Sequence, residues 1–278
     1  MGWKRLLLFI IPYILIVGVL QLLGAYIVGV DLMNKLSQES IEQSLLISFF
    51  GFTGTFLTVF WFMKSIDKEP FLNLGFHFHN HGKVVIAGFF AGFLTMGLSY
   101  LILILLKQIR FSNINLLIDE LILSSILFLI VSITEETLLR GYVLRNLMIS
   151  INKHAALVVS AGIFSIMHAW NPHFNWISFT NLYLAGILLG LPYIYTKNLW
   201  FPISLHFSWN FFQSLFGFNI SGQDSYSLVE FDMFEENIIN GGYFGLEGSV
   251  LSIFSQLFFI IVLWIFFNNK KNTMPYVS

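Results

Sequence analysis

The chain has 278 residues, of which 56% are hydrophobic and 10% are charged, whereas a soluble domain carries about 25% charged residues. This composition predicts a polytopic membrane protein that resides in the lipid bilayer. The formal net charge of −1 provides no basic surface for nucleic acid, and the absence of cysteine excludes disulfides, cysteine nucleophiles, iron–sulfur clusters and thiolate zinc sites.

Eight apolar stretches each approach the ~20 residues that a helix needs to cross a bilayer. The first begins after Lys4 and Arg5, and we interpret it as an uncleaved span because its apolar region is too long for a signal peptide. The sequence therefore predicts an all-α transmembrane bundle in which residues 1–278 form a single integral-membrane domain. The predicted spans lie at approximately 6–29, 44–64, 84–106, 121–148, 154–170, 177–195, 199–217 and 248–268.

The distribution of basic residues predicts the orientation of these spans. With the N-terminus in the cytoplasm, ten of the 14 Lys and Arg residues fall in inside segments, and Arg140 lies within a span. The three outside residues are Lys35, Lys107 and Arg110. Because cytoplasmic loops carry the excess of positive charge, this asymmetry predicts eight spans with both termini cytoplasmic.

The fourth span contains three charged side chains in an otherwise apolar run, namely Glu135, Glu136 and Arg140. Each charge at the centre of a membrane helix costs roughly 2.5–3.5 kcal/mol, so their presence calls for a reason. Glu136 and Arg140 are four residues apart and are predicted to form an ion pair on one helical face. Glu135 is rotated about 100° from Glu136, which leaves its carboxylate available for proton transfer.

Polar side chains also occur in two later spans. His168 ends the run Phe164-Ser165-Ile166-Met167-His168, and His206 lies one turn before Asn210. In hydrocarbon such groups need partners, so we predict that they share one polar pocket with the carboxylates of the fourth span. This pocket suits hydrolysis by water, with a glutamate as general base and a histidine and an amide as oxyanion donors.

These residues identify no definite cofactor, and metal ligation is an open alternative. A glutamate and two histidines also form a known catalytic zinc set, which here would be Glu135, His168 and His206 with Zn²⁺. Their spacing is not that of a His-Glu-x-x-His helix, the strongest zinc signature. A second candidate metal site is the alternating run of histidines in the 65–83 loop, namely His77, His79 and His81. We interpret this segment instead as a solvated interfacial loop.

The acidic segment 218–247 leads into the last span through the glycine-rich run 241–249. The glycines predict a tight turn at this point. Glu247 and Ser249 precede the last helix directly, and we predict that they cap its N-terminus.

Three ordered motifs carry a resemblance to a known family. They are Glu135-Glu136-x-x-x-Arg140, Phe164-x-x-x-His168 and His206-x-x-x-Asn210. Their order and spacing resemble the EExxxR, FxxxH and HxxxN/D motifs of the CPBP family of intramembrane endopeptidases, also called the CAAX-protease or ABI family. The glycine-rich run 241–249 is similar to a further segment in many bacterial members. The core resemblance covers 121–212, which is the expected catalytic core of a bacterial-type member.

The resemblance implies cleavage of a peptide bond in a membrane-associated protein or peptide, within the bacterial plasma membrane. It implies that Glu135 activates water with the help of His168. His206 and Asn210 of the third motif would stabilise the oxyanion. Glu136 and Arg140 of the first motif would order the site. The family is named for metalloprotease activity, although a metal-free glutamate mechanism is also argued for it.

Two other functions are compatible with buried Glu and His side chains. A proton- or cation-coupled transporter uses such groups as a relay, but it predicts two repeated halves, and the sequence contains no visible repeat. A non-catalytic immunity protein would bind a membrane peptide without cleaving it.

Overall fold

Helices account for most of the chain, which confirms the predicted all-α class. The computed structural model describes residues 2–30, 39–79 and 81–273. A π-helical segment, Thr137–Leu144, joins α4 to α5, so that Ile118–Ser150 forms one continuous helical segment. In chain order the helices are α1 (Gly2–Ile27), α2 (Ile41–Phe62), α3 (Gly82–Leu105), α4 (Ile118–Glu136), α5 (Arg145–Ser150), α6 (Lys153–Met167), α7 (Trp176–Thr196), α8 (Trp200–Leu215) and α9 (Val250–Thr273).

Every predicted span falls on a helix, and the chain is an integral, multi-pass membrane protein. The fifth and seventh predicted spans correspond to α6 and α8, which have only 15 and 16 residues. At 1.5 Å per residue they are about 23 Å long, whereas the hydrocarbon core is roughly 30 Å thick. Eight complete crossings and their orientation therefore stay predictions. Among the described residues, six segments are long and apolar enough to cross a membrane: Gly2–Ile27, Ile41–Asp67, Gly82–Leu105, Ile118–Ser150, Trp176–Thr196 and Val250–Asn269.

Helix α8 packs closely on α3 with one face and presents polar residues on the other. Ser208 Oγ donates a hydrogen bond to the Phe89 carbonyl of α3. The approach depends on Gly92, because a Cβ at that position would lie 2.5 Å from Ser208 Oγ. His206 and Asn210 are each two residues from Ser208, so they lie on the opposite face of α8, where both are buried.

We expect Gly92→Ala to destabilise the protein by about 1–3 kcal/mol, the usual cost of overpacking a tight contact. The new methyl group would meet Ser208 Oγ and, at 2.8 Å, the backbone nitrogen of Trp209. Gly97→Ala on the same helix is the control, because its methyl group would meet only Phe216 at 3.8 Å. Unfolding by SDS in mixed micelles measures both free energies. Equal effects of the two substitutions would contradict this close-packed contact.

Charged residues join α1 and α5 to the segment that follows α2, at one end of the bundle. Arg5 Nη1 lies 2.6 Å from Asp67 Oδ1, and the Tyr142 hydroxyl donates to Asp67 Oδ2 over 3.2 Å. Arg145 forms an ion pair with Glu69. Arg5 and Arg145, both predicted to lie in inside segments, are therefore at the same end of the bundle.

Two short strands that the sequence analysis did not predict lie toward the other end. Strand β1 (Ile109–Ile114) pairs antiparallel with β2 (Val229–Met233). Arg110 Nη2 contacts Asp232 Oδ2 across this pair at 2.7 Å. The pairing ties the α3–α4 connection to the α8–α9 connection. Lys35, also predicted to lie outside, is not among the described residues.

Candidate active site

The centre of the site is a fully buried ion pair at the junction of α4 and the π-helical segment. Arg140 Nη1 donates to Glu136 Oε1 over 2.7 Å, and the two side chains are 1% and 0% exposed. The predicted pairing across four residues is thus confirmed. Arg140 Nη2 also reaches the Gly186 carbonyl of α7 at 3.4 Å. Each charge is compensated inside the bundle, which explains how this helix accommodates both.

His206 connects the two adjacent carboxylates. Its Nδ1 lies 2.9 Å from Glu136 Oε1, and its Nε2 lies 3.9 Å from Glu135 Oε2. Because an ionised carboxylate only accepts hydrogen bonds, Nδ1 carries a proton and Nε2 is the nitrogen that faces Glu135. The two glutamates diverge as the helical rotation predicts. Glu136 is held in the interior, whereas the side chain of Glu135 remains 25% exposed.

The aromatic ring of Phe164, the first residue of the second motif, packs against Arg140 and both histidines of the site. The guanidinium carbon of Arg140 lies 4.7 Å from the centre of its ring. The rings of His168 and His206 have centroids 4.8 Å and 6.3 Å from it. His168 Nδ1 lies 2.8 Å from the Phe164 carbonyl, so Nδ1 donates and Nε2 is the nitrogen left for other chemistry.

Asn210 completes the set from the wall of a small cavity. The cavity encloses about 30 Å³, which suffices for one or two water molecules, since each needs roughly 10–15 Å³. Its polar lining residues are His206, Asn210 and Glu247, and the remainder of the lining is apolar. The structure thus brings Glu135, Glu136, Arg140 and His206 together directly, with Asn210 one helical turn away. His168 joins this group through its contacts with Phe164.

The structure places one further acidic residue in the site that the sequence analysis had assigned elsewhere. Glu247 was predicted to cap α9, and that prediction is wrong. The cap is Ser249, whose Oγ accepts from the Leu251 amide over 3.0 Å. Glu247 instead accepts hydrogen bonds from Ser221 and lines the cavity. The sequence carries two signals here, an acid among glycines, which by itself indicates a turn, and the similarity of the run 241–249 to a segment of bacterial family members.

The arrangement does not fit a zinc site with three protein ligands. Both candidate histidines keep Nε2 available, because Nδ1 of His168 faces a carbonyl and Nδ1 of His206 faces Glu136. The fit therefore depends on whether three ligands converge. Across residues 2–30, 39–79 and 81–273, no three His, Asp or Glu side chains are placed so that they could hold a metal ion. The alternating loop histidines, which are among the described residues, form no such group either, and His81 Nδ1 contacts the His79 carbonyl at 2.7 Å.

Fold and site together define a multi-pass membrane protein with a buried cluster of ionisable side chains. The sequence model of the family described as Rce1-like, type II CAAX prenyl endopeptidase, matches residues 117–212. This match confirms the predicted resemblance to the CPBP family over the segment that contains all three motifs, and it indicates a CAAX-type intramembrane protease. No curated protein matches the chain, and neither does any solved structure.

Proposed function

We propose that this protein is an intramembrane endopeptidase in which Glu135 activates water to hydrolyse a peptide bond of a membrane-associated protein or peptide. The observation that carries the proposal is the environment of Glu135. Its Oε2 is buried without a hydrogen-bond partner among the described residues, and it lies 3.9 Å from His206 Nε2. An unsatisfied buried oxygen is costly, so this carboxylate is suited to accept a hydrogen bond, and then a proton, from water.

The charges of the neighbouring groups support different roles for the two adjacent glutamates. Arg140 neutralises Glu136, so that Glu136 is a fixed anion that orients His206 through Nδ1. Two carboxylates and one guanidinium leave one negative charge in the group. An imidazolium at His206 would balance this charge and would present an Nε2–H donor toward the reacting atoms.

In the proposed reaction Glu135 takes one proton from water as the hydroxide oxygen adds to the substrate carbonyl. The resulting oxyanion accepts hydrogen bonds from His206 Nε2 and from the side-chain amide of Asn210. Loss of one such donor typically costs 10²–10³-fold in kcat. His168, with Nε2 available beside Phe164, assists by steering the water or by shuttling the proton. Residues 121–212 form the catalytic core of a single domain in the bacterial plasma membrane.

The test is direct observation of cleavage by the purified protein in proteoliposomes. Two probes are used, a farnesylated peptide with a C-terminal CAAX sequence and the same peptide without the lipid. Mass spectrometry should detect a new C-terminus in at least one of them. Binding without cleavage would favour an immunity protein, and ion uptake driven by a pH gradient without cleavage would favour a transporter. Either result would contradict the protease assignment.

A further inference from the structure

We propose that Glu247 is a third carboxyl group of the catalytic centre, an uncharged acid that gives its proton to the leaving amine. The proposal rests on the proposed hydrolytic function. Glu247 belongs to the glycine-rich run 241–249 and therefore lies outside the segment 117–212 that matches the family model. Its side chain nevertheless lines the same cavity as His206 and Asn210.

The hydrogen bonds of Glu247 determine which of its oxygens can act. Its Oε2 accepts from the backbone nitrogen of Ser221 at 2.8 Å and from the Ser221 hydroxyl at 2.5 Å. No described residue donates to its Oε1. Because Oε2 is the accepting oxygen, the proton of the neutral acid belongs on Oε1, which is left for the cavity.

The three carboxyl groups of the site have different electrostatic environments. Glu136 is paired with Arg140 and Glu135 is partly exposed beside His206, whereas Glu247 is 8% exposed and has no Arg or Lys ion pair among the described residues. Burial raises the pKa of Glu247, against the lowering effects of the Ser221 hydrogen bonds and of positive charge on His168 and His206. A general base and a general acid in one site need carboxyl groups whose environments move their pKa values apart.

Buried amides hold the segment that carries Glu247 in place. Asn181 of α7 donates to the Ser249 carbonyl over 2.9 Å, and Gln256 of α9 donates to Asn181 Oδ1 over 3.0 Å. Gly245 adopts φ +88°, and a Cβ there would lie 1.8 Å from the Asn219 carbonyl oxygen. The turn is therefore compact and tolerates no side chain at Gly245. It fixes Glu247 at the cavity wall.

The proposed acid completes the proton balance of the reaction. Glu135 removes one proton from water, and the remaining hydroxide becomes part of the new carboxylic acid. When the carbon–nitrogen bond breaks, its electron pair goes to nitrogen, which takes the proton from Glu247 Oε1. Glu247 is then a carboxylate and Glu135 is protonated. Transfer of that proton back to Glu247, by way of His206, restores both groups for the next turnover.

The experiment compares Glu247→Gln with wild type in proteoliposomes, using whichever of the two probe peptides wild type cleaves. The glutamine keeps the shape and a hydrogen-bond donor but has no acid proton. We expect kcat to fall by about 10²–10⁴-fold with little change in KM. Wild-type activity should decline as pH rises through the pKa of Glu247, and the residual activity of the variant should lack that alkaline decline. Glu236→Gln, at an exposed position of the same connection, is the control.

Infrared spectroscopy provides a second measurement that does not depend on catalytic activity and that begins with the wild-type protein. Wild-type protein at neutral pH should show the carbonyl stretch of a protonated carboxylic acid, and folded Glu247→Gln should lack it. Absence of this band from wild type would overturn the proposal, and so would a Glu247→Gln variant that retains wild-type kcat and pH profile. If Glu135→Gln is inactive while Glu247→Gln is fully active, only the role of Glu247 fails. If both are fully active, the assignment of Glu135 as the base fails as well, and if wild type cleaves neither probe the proposed hydrolytic function itself fails.

Discussion

Replacing Glu135 with glutamine should reduce peptide hydrolysis by about 10²–10⁴-fold, the typical contribution of a general base. The amide has nearly the same shape as the carboxylate but cannot take a proton from water. The buried Glu136–Arg140 pair and its contact with His206 do not involve Glu135, so the variant should remain folded. The measurement is kcat/KM for the cleaved probe peptide in proteoliposomes, alongside thermal unfolding of the same preparations.

Asp119→Asn is the matched control for this substitution. Asp119 is an exposed acid in the first turn of the same helix, and it lies more than four turns from Glu135. Its removal should leave kcat/KM within about twofold. A Glu135→Gln enzyme that cleaves at the wild-type rate would exclude Glu135 as the base.

The largest effect on stability is expected for Arg140→Met. This substitution leaves the buried Glu136 carboxylate with His206 but without its guanidinium partner, and breaking a buried ion pair in this way typically costs 3–5 kcal/mol. The contact of the guanidinium with the Phe164 ring is lost as well. SDS titration in mixed micelles, followed by circular dichroism, measures the change in the free energy of unfolding.

Two further variants separate loss of the pair from loss of a positive charge. The double variant Arg140→Met with Glu136→Gln removes both charges of the pair and should recover much of the lost stability, because the buried carboxylate is gone as well. Arg110→Met breaks the pair with Asp232, in which both side chains are at least half exposed, and should cost at most about 1 kcal/mol. A similar cost for Arg140→Met and Arg110→Met would contradict the buried pair.

The sequence predicts much of this site because lipid constrains polar groups so strongly. Charged residues on a membrane helix need partners, and the four-residue spacing of Glu136 and Arg140 identifies one pair. The helical positions of His206 and Asn210 likewise predict that both lie on one face of α8. The observed helices coincide with the predicted spans, since apolar runs of sufficient length indicate membrane helices directly.

The remaining features depend on contacts between residues far apart in the chain. Pairing of β1 with β2 joins segments more than 100 residues apart, and neither strand has a strong pattern of its own. Glu247 reaches the cavity only because the turn at Ser221 and the amides of α7 and α9 hold its segment there. The contact between the Phe164 ring and the Arg140 guanidinium likewise requires the packing of α6 against the π-helical segment.

The most direct test of the proposed centre is a double-mutant cycle on hydrolysis with Glu135→Gln and His206→Ala. Groups that act as one catalytic unit show strongly non-additive losses. If Glu135 and His206 act on the same water and oxyanion, the double variant should have a kcat/KM within about tenfold of the Glu135→Gln single variant. Losses that multiply in full would mean that the two side chains act independently, and wild-type cleavage by the double variant would rule out this catalytic centre.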